Sequence, residues 1–345
     1  MHRRIGITLL CLLASLTGAY GQTCVVIDAA SLAQCSANLA SYATISFAAD
    51  VTCTAGTCCP AWSPLFLDGQ SNKTILGHGH RLLRTAQQRD CPALDIRNGS
   101  NNVTVEDLIF DEGNDGGFCT VSEPCQPVIG ISGNRGTVLR RVAVRYAKGI
   151  GIVVGNHQDG FVLDQAEVIA AGIMGVYIGS LWAPSRHITV TRSLFRDTNT
   201  SGLVLQGVTG TDASDNRIAR NVFLNNHRYG MWDICGGVCG GGQLGLFAAD
   251  HVVVEGNVIG NGWCVNCVNH VVFGVELSND ADSLLESVLL RGNILFNNHN
   301  HAIYYSGTGA ASATCVLQRN IGSGNGGTIW APGCTQSENI FVPTP

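Results

Sequence analysis

The sequence predicts an all-β solenoid, a parallel β-helix, on three observations. First, an asparagine recurs at Asn221, Asn257, Asn293 and Asn320, each opening the pattern Asn-apolar-x and each following, three residues earlier, an apolar residue (Ile218, Val254, Leu290, Leu317). Second, the same frame runs upstream through Ser193, Ala166, Val142 and Leu108, so that successive coils take between 24 and 36 residues, the period of a solenoid. Third, each coil carries short runs of period-two hydrophobicity separated by Asn, Gly and Asp, as in HITVTRSLFRD followed by SGLVLQG, with no helical stretch between them. Strands that short bury an apolar face only by stacking coil on coil. An Asn at every turn is expected to hydrogen-bond its counterparts above and below, where the chain bends into the core.

The elements follow in order. His2-Arg3-Arg4, the apolar run Ile5 to Leu16 and the small-x-small site Ala19-Tyr20-Gly21 predict a signal peptide over residues 1–21. Residues 22–60 are expected to form a disulfide-rich cap. There DAASLAQCSANLAS spaces Ala29, Leu32, Cys35 and Leu39 as a helix, ahead of the strand-like TISFAADVT. A solenoid needs its open end covered. Coils are expected over 61–345, interrupted by an acidic loop, FDEGNDGGFCTVSEPC, and by insertions at 235–243 and 263–267, with the tail closing near Cys334.

Composition narrows the setting. Of 15 cysteines, 14 remain after the leader: Cys24, Cys35, Cys53, Cys58, Cys59, Cys91, Cys119, Cys125, Cys235, Cys239, Cys264, Cys267, Cys315 and Cys334. In a secreted chain they read as disulfides, with zinc at the Cys235/Cys239/Cys264/Cys267 spacing the weaker alternative. Sequons at Asn72, Asn98, Asn102 and Asn199 are candidate glycosylation sites. Outside the leader no run of 18 apolar residues appears, so a soluble, extracellular or cell-wall monomer without a membrane anchor is expected. The formal net charge of −5 becomes −7 once Arg3 and Arg4 leave, which argues against nucleic acid as the partner.

The leader, the capping helix, the run SNKTILGHGHRLL, the string NVTVEDLIF and the later coils resemble the pectate-lyase-like right-handed parallel β-helix superfamily over most of the chain. The resemblance implies the fold. That superfamily spans pectin and alginate lyases, mannuronan epimerases, galacturonan hydrolases, phage tailspikes and non-catalytic wall proteins, so it does not imply one activity. No paired-Asp hydrolase signature with a late Gly-His-Gly is present, since Gly77-His78-Gly79 comes too early. Tyr229-Gly230-Met231-Trp232-Asp233 resembles the start of the epimerase motif but lacks the Pro and His that should follow.

Reading in-out alternation along the second strand of each coil, Val153, Tyr177, Val204, Trp232, Glu276 and Tyr304 form one outward strip. The aromatics Tyr177, Trp232 and Tyr304 suit stacking against a sugar chain laid along the axis. Ahead of that strand, His227, Arg228 and Tyr229 share a turn, and His299 and His301 occupy the equivalent place two coils on, with His270 expected between them. Histidine can serve as base, Arg228 can neutralise a uronate carboxylate, and Tyr229 can protonate a leaving oxygen, which together suit a lyase-type elimination. The alternatives are a non-catalytic glycan-binding wall or matrix protein, and a glycoside hydrolase using Asp233 and Glu276 as its carboxylate pair. Among metals, calcium at Asp111, Glu112 and Asp115, or at Asp280 and Asp282, and a site on His227, His270, His299 and His301, are the candidates.

Overall fold

The computed structural model describes residues 21–53, 63–84, 91–114, 126–180, 183–212, 215–227, 241–263, 272–279, 285–306 and 315–342. Among these, the strands form three parallel sheets of twelve, ten and eleven strands, and each coil contributes one strand to each sheet in turn. The single helix among the described residues, α1 (Ala29–Ala37), buries Leu32 and Cys35 at the N-terminal end of the stack. Asp28 caps it: its carboxylate accepts from the Ser31 N–H at 2.8 Å while the Ser31 hydroxyl serves the Asp28 N–H. Leu39, expected on the same helix, is instead buried in the short 3-10 turn Leu39–Ser41 that follows. Cys24–Cys35 ties the helix to the first strand, and Cys315–Cys334 joins the last coils. Cys53 and Cys91 are disulfide-bonded as well. Residues 1–20 of the expected signal peptide and Cys58, Cys59, Cys119, Cys125, Cys235, Cys239, Cys264 and Cys267 lie outside the described residues.

The frame read from the sequence is the one the chain adopts. Asn257 Oδ1 accepts from the Asn221 N–H at 2.8 Å, Asn293 Oδ1 from the Asn257 N–H at 3.0 Å, and Asn320 Oδ1 from the Asn293 N–H at 3.1 Å. Each amide also donates to a strand carbonyl one coil back, Asn257 Nδ2 to Ile218 O at 3.0 Å for example. The ladder continues to Asn339, which the sequence reading did not include.

A second ladder stands at the next corner, through Asn226, Asn298 and Asn325. In the coil between Asn226 and Asn298 the register position is Gly262, which has no amide to offer. Gln243 reaches in from the following strand to fill the gap: its Oε1 accepts from the Asn226 N–H at 3.3 Å, and its Nε2 donates to Asn298 Oδ1 at 2.7 Å. Beneath the ladders run columns of apolar side chains in register. One is Phe110, Val144, Val168, Phe195, Phe223, Ile259 and Leu295, with the Phe195 and Phe223 rings stacked 4.9 Å apart.

Candidate functional site

The ten-stranded sheet carries the outward strip. Strand pairing places Phe66, Asp95, Gly130, Val153, Tyr177, Val204, Gly245, Glu276, Tyr304 and Trp330 in one column, one residue per coil. At ~4.8 Å per coil the column runs roughly 43 Å along the axis. Val153, Tyr177, Val204, Glu276 and Tyr304 stand where alternation puts them. In the coil between Val204 and Glu276 the strip position, expected for Trp232, is held by Gly245 of the strand Gly241–Phe247. The next, inward position of that coil, which alternation assigns to Asp233, is held by Leu246, between Leu205 and Leu277. Arg228, Tyr229, Trp232 and Asp233 lie outside the described residues.

The strip is not uniformly open to solvent, as alternation alone implies. Val204 is 3% exposed and Glu276 7%. The Glu276 carboxylate takes two hydrogen bonds, from the Ser306 hydroxyl at 2.7 Å and from the Gly242 N–H at 3.2 Å, and forms no ion pair with a described residue. Burial pushes its pKa above the usual carboxylate range, more than those two donors draw it down.

On the strand beside Glu276, Tyr304 stacks flat on Phe273, with centroids 4.2 Å apart and planes 6° apart. His301 tilts against both rings, 5.3 Å from Tyr304 and 6.2 Å from Phe273. Its Nδ1 is sealed from solvent without a hydrogen-bond partner, and burial lowers its pKa. Partial burial therefore favours the uncharged form of the His301 ring.

The histidine turns separate into three environments. The residue in register between His227 and His299 is Trp263, not His270, which lies outside the described residues. His227 is 2% exposed, and its ring lies over Gly241, where a Cβ would collide with it. Its Nε2 donates to the Gly242 carbonyl at 3.3 Å, with the Ser201 hydroxyl 3.5 Å away. His227 therefore bonds the carbonyl of Gly242, the residue whose N–H caps Glu276, and is itself buried. His299 is exposed and lies against Trp263, ring centroids 4.9 Å apart. Among the described residues no three His, Cys, Asp or Glu side chains gather to hold a metal.

Of the expected calcium ligands, Asp111 faces Arg81 at 3.5 Å, and Glu112 pairs with buried Arg84 and accepts the Lys148 N–H at 2.7 Å. Asp115, Asp280 and Asp282 lie outside the described residues. Of the sequons, Asn72, Asn98 and Asn102 are exposed. Asn199 is buried, with its Nδ2 donating to Gly172 O at 2.9 Å, and so has no room for a glycan in the folded protein.

Sequence reasoning missed the N-terminal half of the same face. A groove of about 590 Å³ opens there, lined by Pro92, Asp95, Arg97, Pro127, Gly130 and Gly155 among others. Asp95, 8% exposed, has its pKa raised by burial, partly offset by its ion pair with Arg97, whose guanidinium lies 4.7 Å over the Phe66 ring. The signal was present: Gly130 and Gly155 stand at outward positions where side chains would fill the groove.

The chain belongs to the family of the right-handed beta helix region, whose model matches residues 127–321. Solved structures with the same fold include a double mutant of the periplasmic alginate epimerase AlgG (13% identity, covering 93% of this chain and 71% of that one, TM-score 0.53). The catalytic domain of a GH87 alpha-1,3-glucanase in complex with tetrasaccharides is similar at 11% identity, 93% and 69% coverage and TM-score 0.52. The A-module of the Azotobacter vinelandii mannuronan C-5 epimerase AlgE4 is similar at 15% identity, 93% and 98% coverage and TM-score 0.50. No curated protein matches the chain in sequence.

Proposed function

We propose that the ten-stranded face binds an acidic, uronate-containing polysaccharide along the helix axis and acts on it by a lyase-type elimination. The observation that carries this reading is a buried carboxyl, Glu276, whose pKa burial raises, on the coil next to a half-buried histidine, His301, and a stacked aromatic pair, all on one outward face. Similar folds that handle alginate or glucan support the substrate class.

In this reading the uncharged His301 ring removes the proton beside the sugar carboxylate. The electron pair left behind forms the new ring double bond as the glycosidic C–O bond breaks. Glu276, held protonated by its surroundings, gives its proton to the leaving oxygen. Tyr304, Tyr177 and Trp330 supply stacking surfaces, and the sugar carboxylate falls to Arg228, expected for that role.

A secreted, extracellular setting without a membrane anchor goes with this reading, supported by the disulfides; no helix among the described residues is long and apolar enough to cross a membrane. The test is a panel of pectic, alginate and neutral wall polysaccharides, scored for co-sedimentation and for new unsaturated ends, with and without a calcium chelator. Unsaturated ends from a uronate polymer, lost in H301A, support the elimination.

A second reading has its own support. Tyr177, Tyr304 and Trp330 in a single column, Trp330 56% exposed, suit a glycan-binding protein without turnover. Binding without new ends, weakened in Y304A or W330A, would establish it and discard the elimination.

A further inference from the structure

A second groove, of about 520 Å³, lies away from the ten-stranded face, on the outer side of the twelve-stranded sheet and the corner after it. Its lining includes Arg217, Arg220, Arg291 and Arg319, with Glu255 the one acidic residue. This is a local excess of positive charge on a chain whose net charge is −5.

The corner column is left-handed throughout. Asp107, Arg141, Gln165, Arg192, Arg220, Arg319 and Glu338 all hold φ between 51° and 58° there. Between Arg220 and Arg319 the column reads Gly256 and Gly292, and a Cβ at Gly292 would meet nothing within 4 Å. Two coils without side chains leave a slot, and an arginine stands at each end, three coil rises or roughly 14 Å apart.

The flanking arginines are pre-arranged. Glu255 offers one oxygen to each neighbour: Oε1 to Arg217 Nε at 2.8 Å and Oε2 to Arg291 Nε and Nη2 at 2.8 and 2.6 Å. Both guanidiniums spend the Nε–Nη2 edge on that carboxylate, which leaves each Nη1 without a partner among the described residues. Arg319 meets the exposed Glu338 through Nε at 2.7 Å, and Arg220 forms no ion pair with a described residue. Exposed pairs of this kind add ~0–1 kcal/mol to stability, so fold stability does not account for four arginines around an open slot. Fixed guanidiniums with free donor edges match carboxylate or sulfate oxygens.

We infer that this slot binds a polyanionic polysaccharide, a chain with a carboxylate or sulfate on recurring sugars, and holds the protein on such a polymer independently of the ten-stranded face. It goes beyond the proposed elimination and does not need it.

The test is the affinity of the full chain for polygalacturonate, alginate and dextran sulfate across a salt series, with a neutral glucan and duplex DNA as controls. The variants are Arg220→Asn, Arg319→Asn and the pair together, since Asn tolerates the left-handed conformation. The pair is expected to weaken polyanion binding at least tenfold and to flatten its salt dependence, without changing thermal stability. Loss on the carboxylate polymers alone, or on dextran sulfate alone, assigns the anion. Turnover of short uronate oligosaccharides by the pair should match the parent protein, and E276Q should bind polymer as the parent does. Unchanged affinity in the pair, equal binding to the neutral glucan, or tighter arginine-dependent binding to DNA would overturn the assignment.

Discussion

Glu276 is an outward-facing carboxyl that solvent barely reaches, and its environment makes two predictions. Its folded pKa lies above the unfolded value, so the stability it contributes is fully present below the unfolded pKa and is lost as pH rises through the folded one. E276Q, which stays neutral, is therefore expected to be more stable than the parent at pH 7, with the difference shrinking toward pH 4. Denaturant melts at the two pH values check this, and an equal deficit at both would contradict it. The second prediction concerns turnover. His301 must be neutral and Glu276 protonated, so activity rises as pH passes the lowered His301 pKa and falls as it passes the raised Glu276 pKa. E276Q is expected to cost ~10²–10⁴ in kcat/KM and to erase the alkaline limb of whatever activity remains. His227 acts through Gly242, so H227Q should shift that limb more than it changes KM. Period-two alternation was enough to find Glu276, Tyr177 and Tyr304. It could not find Gly245, because two windows of that coil, one centred on Trp232 and one on Gly245, satisfy the same alternation.

At the level of elements, the asparagine ladders replace what a regular sheet edge would supply at each bend. Removing Asn257 leaves the Asn221 N–H and the Ile218 carbonyl buried without their partner. With each such group costing ~1–3 kcal/mol, N257A should lower unfolding free energy by about 3 kcal/mol or more in denaturant titration, whereas N297G, at an exposed Asn whose left-handed backbone glycine accepts, should change little. Gln243 is the more discriminating site. If its amide stands in for the one Gly262 lacks, Q243A should cost about as much as an Asn-to-Ala change in the ladder, and Q243E should not restore it. The first ladder was legible because its asparagines share a frame with apolar neighbours. The second was not, since one of its rungs comes from a different strand and breaks the period.

Across the whole molecule, polar corners change place along the axis. In the N-terminal half the corner between the ten- and twelve-stranded sheets carries buried Ser100, Asn134, Gln158 and Ser185, and in later coils the same corner turns apolar with Val208, Ala249 and Leu285. The asparagine ladders begin as that column ends. The fold class was plain in the sequence, because a solenoid repeats its physics every coil. Function was not, because a groove depends on which outward positions are empty, such as Gly130 and Gly155, and on which are covered, such as Gly245 under the Phe247 ring.

The measurement that bears most directly on the central claim is incubation of the oxidised protein with polygalacturonate and alginate, following unsaturated ends for the parent, E276Q and H301A. New unsaturated ends from a uronate polymer that disappear in both variants, while each variant still co-sediments with it, are what the elimination on the ten-stranded face requires. Binding with no new ends in the parent, or turnover that survives both substitutions, would contradict it.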